Sequence, residues 1–458
     1  MNLEKYVERQ RDEMVSTLQD VIRIKSVRGE AKEDAPYGQE VLDCLNHVLK
    51  VARDMGFKTV NVDNYMGYAE YGQGEDMVAV LGHLDVVPEG TGWSVDPYGG
   101  VIKEGNIYGR GAIDDKGPVV ASLYALKALK ESGLAMGKRI RILFGTNEET
   151  GSEDMKYYLK KGGEVPVSGF TPDGEYPVIN GEKGIINATF KKNLTPSGKI
   201  GLIKMEGGTA LNVAPANAYA EFICDEKTKG DLKNLLVDEE DIEIEITEGG
   251  FTVKAKGKEA HGSTPEKGKN AIGRLLIFLN KLPLEGDLKS AVKFLAEKIG
   301  METTGKSLGI DLYDEISKGL TLNMGLMSAD ENSLEVKINY RYPVTKSYED
   351  CAPKMDEQFI SEGFEKTAET HKKSLYIDED TEFLQTLLRV YEEKTGNEAK
   401  PVSIGGGTYA KAIPNIVAYG PIFPGDEVRE HLPDEFIEID KLMANAQIYA
   451  EAMYRLAK

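Results

Sequence analysis

Cysteine is scarce in this sequence and widely spaced. The chain has three cysteines, Cys44, Cys224 and Cys351, and no two of them form a C-x-x-C pair. An odd number at this spacing argues against a disulfide framework and against a zinc ribbon. The sequence therefore indicates a protein of a reducing compartment that folds without cross-links.

Basic residues are outnumbered by acidic ones. Lys and Arg total 56 against 76 Asp and Glu, which gives a formal net charge of -20. Proteins that bind nucleic acid or anionic membranes use clustered Lys and Arg to neutralise phosphates, so we expect neither partner here. We interpret the dispersed acidic residues as solvated surface that favours solubility.

Long apolar runs are missing as well. No stretch approaches the roughly 18 apolar residues that a membrane-spanning helix needs, and the opening MNLEKYVERQRDEM lacks the apolar core of a signal peptide. We therefore expect a cytoplasmic protein. A chain of 458 residues exceeds what one hydrophobic core fills, so two or three structural units are expected.

Strand and helix patterns alternate in the first part of the chain. Helical patterns over residues 3–27 and 38–55 precede a buried strand, MVAVLGHLDVV, and a second buried strand, RIRILFGTNEE, follows a glycine-rich turn and a helix. This order predicts an α/β fold in which helices flank a mixed sheet. Ligands of such sheets bind beyond the strand ends.

The pattern changes in the middle of the chain and then returns. Residues 185–379 are rich in alternating strands, with helices near 270–281, 287–299 and 347–360, and helix and strand patterns resume at about residue 380. We predict an α+β domain inserted into the α/β domain.

Acidic and imidazole groups collect at strand ends and in tight turns. His83 and Asp85 are two residues apart at the end of the first buried strand, so both side chains point to one side and Asp85 can orient an imidazole ligand. A buried histidine that only binds its neighbouring acid is the alternative. Further groups occur in four motifs: Asp114 and Asp115 in GRGAIDDKG, Glu148 and Glu149 in TNEETG, Asp173 in PDGEYP, and His431 in HLPDE.

Metal ions account best for this concentration of carboxylates. Burying many carboxylates together is unfavourable because of desolvation and mutual repulsion, unless cations lie among them. Nitrogen and oxygen donors without a thiolate suit two divalent ions of zinc, manganese or cobalt. One glutamate of the Glu148–Glu149 pair can then bind metal while the other acts as a general base.

Four motifs carry a resemblance to a known family. GHLDVVPEGTGW, YGRGAIDDKGP, GTNEETGSEDMKYYL and DGEYPVINGEKG resemble, in sequence and order, the PepV-type dipeptidases of the aminoacylase, carboxypeptidase and desuccinylase superfamily of co-catalytic zinc peptidases. The resemblance covers essentially the whole chain. It implies a catalytic domain formed by residues 1–184 and 380–458 and a lid domain formed by residues 185–379.

The resemblance also implies roles for the clustered residues. Asp114 would bridge the two ions and precede a cis peptide bond, Asp85 would orient a ligand, and Glu148 would deprotonate the metal-bridging water. The five implied metal ligands are His83, Asp114, Glu149, Asp173 and His431.

The remaining candidate residues are expected to contact the substrate. KGKEAHGSTPEKGKNA resembles a lid motif in which His261 would polarise the scissile carbonyl and stabilise the oxyanion, whereas a solvated turn histidine is the alternative. Arg341 could bind a carboxylate through two hydrogen bonds, or be a surface arginine at a strand end. His47 and His371 match no motif and are assigned structural or surface roles. The residues that resemble substrate-binding positions are Asn212, Arg341, Gly406, Gly407 and Thr408.

We therefore predict a metallopeptidase that hydrolyses unblocked dipeptides. Hydrolysis of N-acyl or N-succinyl amino acids stays open, because its catalytic motifs are the same. A binding protein that lost its chemistry is a remote alternative, since the base and all five ligand positions are present. The long lid could supply His261 from the same chain, so we expect a monomer.

Overall fold

The computed structural model describes residues 3–235, 237 and 239–458 and divides into two compact units. The first unit comprises Met1–Asn180, Ile377–Val402 and Thr408–Lys458, and the second comprises Gly181–Tyr376 and Ser403–Gly407.

One short segment belongs to a different unit from the one that the sequence pattern predicts. The pattern assigns Ser403–Gly407 to the first domain, whereas in the structure these residues group with the second unit. Two hydrogen bonds explain the difference. The carbonyl of Ile404 accepts the N–H of Lys183 at 3.1 Å, and the carbonyl of Gly405 accepts a guanidinium N–H of Arg341 at 2.7 Å.

Helices and strands follow one another along the described residues. The helices are α1 Leu3–Arg9, α2 Arg11–Ile22, α3 Gln39–Asp54, α4 Lys116–Ser132, α5 Glu153–Lys160, α6 Glu226–Leu232, α7 Ala271–Leu279, α8 Gly286–Lys298, α9 Ala352–Ser361, α10 Glu382–Thr395 and α11 Ile439–Ala457. The strands are β1 Lys58–Val62, β2 Met66–Tyr71, β3 Met77–His83, β4 Val101–Lys103, β5 Asn106–Tyr108, β6 Arg139–Gly145, β7 Ser168–Thr171, β8 Gly174–Glu175, β9 Ile179–Glu182, β10 Gly184–Asn193, β11 Gly201–Gly207, β12 Asn217–Ile223, β13 Ile242–Ile246, β14 Gly250–Lys256, β15 Tyr313–Asp314, β16 Lys318–Gly319, β17 Thr321–Asp330, β18 Ser333–Tyr342, β19 Glu365–Lys372, β20 Leu375–Tyr376, β21 Val402–Ile404, β22 Ile416–Ala418, β23 Pro421–Ile422 and β24 Phe436–Glu438.

The first helical pattern of the sequence forms two helices and ends early. α1 and α2 separate at Gln10, and α2 ends at Ile22 rather than near Val27. Tertiary hydrogen bonds compete with the helix beyond this point. The carbonyl of Ser26 accepts the N–H of Val86 at 3.1 Å, and the Ser26 hydroxyl donates to the carbonyl of Leu84 at 2.5 Å. The segment after α2 is thereby held along the residues that follow β3.

β3 is the central strand of the sheet in the first unit. From one edge the strand order runs β1, β2, β6, β3, β7, β22, β9, and β3 pairs in parallel with both β6 and β7. Every residue of β3 is buried. Because the carboxyl ends of parallel strands meet at one edge of a sheet, the segments that follow β3, β6 and β7 lie side by side. His83 is the last residue of β3, and Glu148 and Asp173 belong to the segments that follow β6 and β7.

Helix α4 packs against β3, β6 and helix α11. Its sequence, KGPVVASLYALKALKES, is buried along almost its whole length, as expected for a helix covered on several sides. α4 begins at Lys116, directly after the Asp114–Asp115 pair. The packing of α4 therefore fixes where that pair stands.

The second unit is built on an antiparallel sheet of eight strands in the order β13, β14, β12, β11, β17, β18, β10, β19. Residues of β10 alternate between buried and partly exposed, which is typical of a sheet covered on one face. The apolar helix α7 packs on β12, β14 and β17. Helices α7, α8 and α9 occur close to the predicted positions, and the predicted start of α9 is a 3-10 turn at Tyr348–Asp350.

A buried ion-pair network joins strands β2 and β6 of the first unit. Glu70 Oε2 accepts hydrogen bonds from Arg141 Nε at 2.9 Å and from Arg139 Nη1 at 3.0 Å. The side chains of Glu70 and Arg141 are each 7% exposed. Burial raises the pKa of Glu70, but the hydrogen bonds from the two arginines outweigh it and lower the pKa below its ordinary value. Glu70 is therefore a charged part of the core.

We expect Glu70→Gln to lower the free energy of unfolding by about 2 kcal/mol, because buried guanidinium groups lose their anionic acceptor. Urea denaturation near pH 7 measures the loss. The charge of Glu70 stabilises the fold above its unfolded pKa of about 4.3 and ceases to do so as the pH falls below its folded pKa, so the difference between the two proteins should shrink in acid.

The matched control is Lys50→Gln, which breaks the exposed Lys50–Asp54 pair and should change stability by less than about 0.5 kcal/mol. Equal losses for the two variants would contradict a special contribution from the buried network.

Candidate functional site

Two groups of potential metal ligands lie at the carboxyl edge of the first unit's sheet. One group contains His83, Asp114 and Asp173, and the other contains Asp114, Glu149 and His431. Within each group, one ligand atom from each residue lies within 4.8 Å of the others. Asp114 belongs to both groups.

The two carboxylate oxygens of Asp114 point to different histidines. Oδ1 is 3.0 Å from Nε2 of His83, and Oδ2 is 3.0 Å from Nε2 of His431. Glu149 Oε1 also lies 3.2 Å from His431 Nε2. The peptide bond between Asp114 and Asp115 is cis, as the family resemblance implies. A single carboxylate thus stands between the two groups with one oxygen directed to each.

The carboxyl groups around Asp114 are buried together, and their pKa values reflect it. Burial raises the pKa of Asp85 to about 7, although the nearby His83 lowers it, and the other carboxylates raise it further. Burial likewise raises the pKa of Asp115 and of Asp173 well above the ordinary value. Cations reverse such shifts because they favour the ionised form. The donors, imidazole nitrogens and carboxylate oxygens, therefore fit divalent metal ions.

Hydrogen bonds between His431 and two carboxylates favour the protonated form of the imidazole. The carboxylates of Asp114 and Glu149 raise the pKa of His431 to about 11. A metal ion would occupy the position that this proton fills between the imidazole and the two carboxylates. Metal binding at this group is therefore expected to release protons.

The carboxylate of Asp85 is hydrogen-bonded to the main chain of Glu148 and Glu149 and not to the ring of His83. Its two carboxylate oxygens accept the N–H groups of Glu148 at 3.1 Å and Glu149 at 3.2 Å. His83 Nδ1–H donates to the main-chain carbonyl of Asp85 at 2.8 Å, while the Asp85 carboxylate is 3.6 Å away. The orienting contact predicted for the carboxylate is thus made by the carbonyl two residues after His83.

Neither Asp154 nor Tyr409 is predicted from the sequence as a site residue, yet both contact segments that carry proposed site residues. Asp154 is fully buried and accepts the N–H groups of Thr146 at 2.6 Å and Asn147 at 3.1 Å, just before the glutamate pair. The hydroxyl of Tyr409 donates to Asp154, and the N–H of Tyr409 donates to Asp173 Oδ2 at 3.3 Å. Asp154 lies within the GTNEETGSEDMKYYL motif, and this position is the signal that could have identified it.

Within the second unit, short contacts bring together two of the predicted substrate residues, Asn212 and His261. His261 forms an isolated antiparallel bridge with Val213, and the carbonyl of Asn212 accepts the N–H of Gly262 at 2.6 Å. Nδ1 of His261 is hydrogen-bonded to the hydroxyl of Ser263 at 2.6 Å. The structure thus places Asn212 beside His261.

Arg341 is a buried cation, 3% exposed, in the same unit. Its Nε donates to Asn339 Oδ1 at 3.0 Å and its Nη1 to the Gly405 carbonyl at 2.7 Å. Burial lowers its pKa to about 10.

The glycine-rich segment is divided between the units. Gly406 and Gly407 belong to the second unit and Thr408 to the first. The Thr408 hydroxyl accepts the N–H of Ala410 at 3.1 Å. Nε2 of His371 is hydrogen-bonded to the Tyr342 hydroxyl at 2.8 Å, and His47 lies on α3.

The sequence profile of peptidase family M20/M25/M40 matches residues 79–455. The chain belongs to this peptidase family. The Bacillus subtilis (strain 168) protein YtjP is 38% identical to this M20 peptidase over the full length of both. Beta-Ala-Xaa dipeptidase of Lactobacillus delbrueckii subsp. lactis is 34% identical and covers 100% of this chain, with 99% of its own length matched.

Solved structures confirm the predicted fold class of this M20 peptidase, a helix-flanked mixed sheet interrupted by an inserted α+β domain. Aminopeptidase PepT from Bacillus cereus has a TM-score of 0.60 at 16% identity and covers 98% of this chain and 99% of its own. Human carnosine dipeptidase 1 has a TM-score of 0.57 at 16% identity, with 99% of both chains covered.

Family membership confirms that the M20 peptidase is a hydrolase that uses divalent metal ions. Among the helices described, none is both long enough and apolar enough to span a bilayer.

We expect Arg341→Met to raise the pKa of His261. Partial burial lowers that pKa below the ordinary value of a histidine, and the positive charge of Arg341 lowers it further, so removal of the charge should bring it back up. A proton NMR titration of the histidine ring signals, assigned with His261→Gln, measures the change.

Lys254→Met, which removes an exposed cation on β14 of the same unit, is the control and should leave the His261 titration in place. An unshifted His261 titration in Arg341→Met would show that the two residues do not interact electrostatically.

Proposed function

We propose that the M20 peptidase is a two-metal dipeptidase that acts on dipeptides with a free amino group. The observation that carries the proposal is Asp114, whose two oxygens face two separate groups of histidine and carboxylate donors. One divalent ion would be held by His83, Asp114 and Asp173. The second would be held by Asp114, Glu149 and His431. Zinc is the ion we propose, with manganese and cobalt as alternatives.

Glu148 is proposed as the general base. It belongs to neither ligand group among the residues described, yet its charge raises the pKa values of Asp85 and Asp173. Asp85 fixes its main chain through the N–H of Glu148. The bound cations would acidify the attacking water and polarise the peptide carbonyl. Glu148 then accepts the proton of that water and delivers it to the leaving amine.

The second unit is proposed as the lid that recognises substrate, and the first as the catalytic domain. Arg341 is proposed to bind the substrate carboxylate, because a buried guanidinium is stabilised by an anionic ligand that forms two hydrogen bonds with it. His261 is proposed to donate a hydrogen bond to the oxyanion. The proposed substrate contacts also include Asn212, Gly406, Gly407 and Thr408.

The proposed substrate class rests on the relatives as well as on these residues. Beta-Ala-Xaa dipeptidase of Lactobacillus delbrueckii subsp. lactis matches this chain over its full length. The chain itself offers the buried Arg341 for a free carboxylate. A small peptide is therefore the proposed substrate, and a monomer is the proposed state in solution.

We expect Glu148→Gln to lower kcat by a factor of about 10²–10⁴, the usual contribution of a general base, while both metal ions stay bound. Steady-state kinetics on a dipeptide and metal analysis by mass spectrometry measure the two properties. Glu153→Gln removes an exposed carboxylate from the start of α5 and should keep normal turnover. Normal turnover in Glu148→Gln would refute its assignment as the base.

The substrate class is tested with four compounds: an unblocked dipeptide, its C-terminal amide, an N-acetyl amino acid and a tripeptide. We expect the unblocked dipeptide to be the best substrate. Arg341→Met should lower kcat/KM for the dipeptide by about 10- to 150-fold, because a charge-assisted hydrogen bond contributes about 1.5–3 kcal/mol. It should change hydrolysis of the amide little.

Hydrolysis of the N-acetyl amino acid but not of the free dipeptide would instead assign the protein to the N-acyl amidohydrolases. Absence of all four activities in the zinc-, manganese- and cobalt-loaded protein would favour a binding protein.

A further inference from the structure

A buried ion pair lies next to the ligand cluster, and the proposed reaction gives it no part. Arg110 Nη1 donates to Glu435 Oε2 at 2.6 Å. Arg110 is 1% exposed and Glu435 is fully buried. Both residues occur in motifs that stood out in the sequence, GRGAIDDKG and HLPDE. The pair also lies in the same unit as all five proposed ligands.

The second oxygen of Glu435 holds the main chain at Asp114. Oε1 accepts the N–H of Ile113 at 3.0 Å and the N–H of Asp114 at 3.3 Å. The carbonyl of Glu435 accepts the N–H of Gly109 at 2.9 Å. Glu435 thus fixes the turn that carries Asp114 from both ends, through its side chain at one and its main chain at the other.

Arg110 ties this turn to the two loops that follow His83 and His431. Its Nη1 also reaches the carbonyl of Leu432 at 3.3 Å, one residue after His431. Its Nη2 donates to the carbonyls of Glu89 at 3.3 Å and Pro88 at 3.5 Å. The guanidinium lies 5.3 Å from the centre of the Trp93 ring. One side chain therefore joins the Asp114 turn, the His431 loop and the loop that follows the strand ending at His83.

The opposite charges of Arg110 and Glu435 suit a buried position beside Asp114. A lone Glu435 carboxylate would add repulsion beside Asp114, and the charge of Arg110 at hydrogen-bond distance offsets part of it. Buried ion pairs contribute little net stability compared with apolar residues of the same size, so stability alone does not explain charge at this position. Residues that orient metal ligands, by contrast, are usually hydrogen-bonded polar groups of this kind.

We propose that Arg110 and Glu435 are positioning residues of the metal centre. They hold the Asp114 turn and the His431 loop at the separation at which both residues can bind the same ion. The inference rests on the ligand assignment of the proposed function. It predicts that disruption of the pair weakens metal binding, most of all at the group formed by Asp114, Glu149 and His431, because two of its three members depend on the pair.

The test measures metal affinity in Glu435→Gln and Arg110→Lys. Glutamine keeps the size of the side chain but has one acceptor oxygen for the two tasks of Glu435, and lysine keeps the charge but cannot reach all the carbonyls. Competition of the metal-free proteins with a chromophoric zinc chelator gives the two dissociation constants. We expect at least one of them to rise by about 10- to 100-fold, the usual effect of removing a group that orients a ligand.

The matched control is Glu70→Gln, which removes the charge from a buried, arginine-paired glutamate of the same unit that contacts no proposed ligand. It should be destabilised and yet bind both ions as the unmodified protein does. The absorption spectrum of the cobalt-loaded proteins is the second readout, since it reports ligand geometry. It should change in Glu435→Gln and not in Glu70→Gln.

Unchanged affinity and an unchanged cobalt spectrum in both pair variants would overturn the proposal, and so would an equal loss of affinity in Glu70→Gln. Asp114→Asn separates this failure from failure of the ligand assignment. If Asp114→Asn abolishes two-ion binding while the pair variants bind normally, only the positioning role is wrong. If Asp114→Asn binds both ions normally, the ligand assignment itself is wrong.

Discussion

Repulsion among buried carboxylates is the constraint around which the first unit is organised. Asp85, Asp114, Asp115 and Asp173 lie at one sheet edge, where burial alone would favour their protonated forms. The fold keeps such a cluster in two ways. Cations can bind between the ligand carboxylates, and main-chain N–H groups neutralise part of the charge of the others.

Neutralisation of a carboxylate by main-chain N–H groups recurs across the site. The segments that carry His83, Glu149 and Asp114 are each held by a buried acid from a different segment, and the acid acts through the main chain. Asp115 accepts the N–H of His83, Asp85 those of Glu148 and Glu149, and Glu435 that of Asp114. A carboxylate that accepts main-chain N–H groups fixes a backbone position, which orients a ligand more firmly than contact with its flexible side chain alone.

The five proposed ligands are implied by the family resemblance, and the structure brings their side chains together in two groups. Position at a strand end alone leaves two interpretations open for His83, a metal ligand and a buried histidine that binds its neighbouring acid, and the other motifs are needed to favour the first. The alternation of strands and helices likewise predicts the α/β unit and its inserted domain, since periodicity is a local property of the sequence.

Contacts between distant segments could not be predicted in this way. The end of α2 at Ile22 depends on hydrogen bonds of Ser26 with the residues after β3, and the membership of Ser403–Gly407 depends on Lys183 and Arg341. The contacts of Asp85 and Glu435 are of the same kind. A carboxylate accepts a main-chain N–H group whatever the side chain of the donor residue, so the type of that residue does not reveal the contact.

The shared carboxylate of Asp114 has a thermodynamic consequence. In the proposed assignment, an ion in either group alters both the charge and the freedom of rotation of the ligand that the other ion meets. The two binding events are then linked, and linkage requires that each ion change the affinity of the other by the same factor. The number of ions bound at a given free metal concentration is therefore a property of the pair of sites, and the chain's response to metal supply cannot be described by two independent dissociation constants.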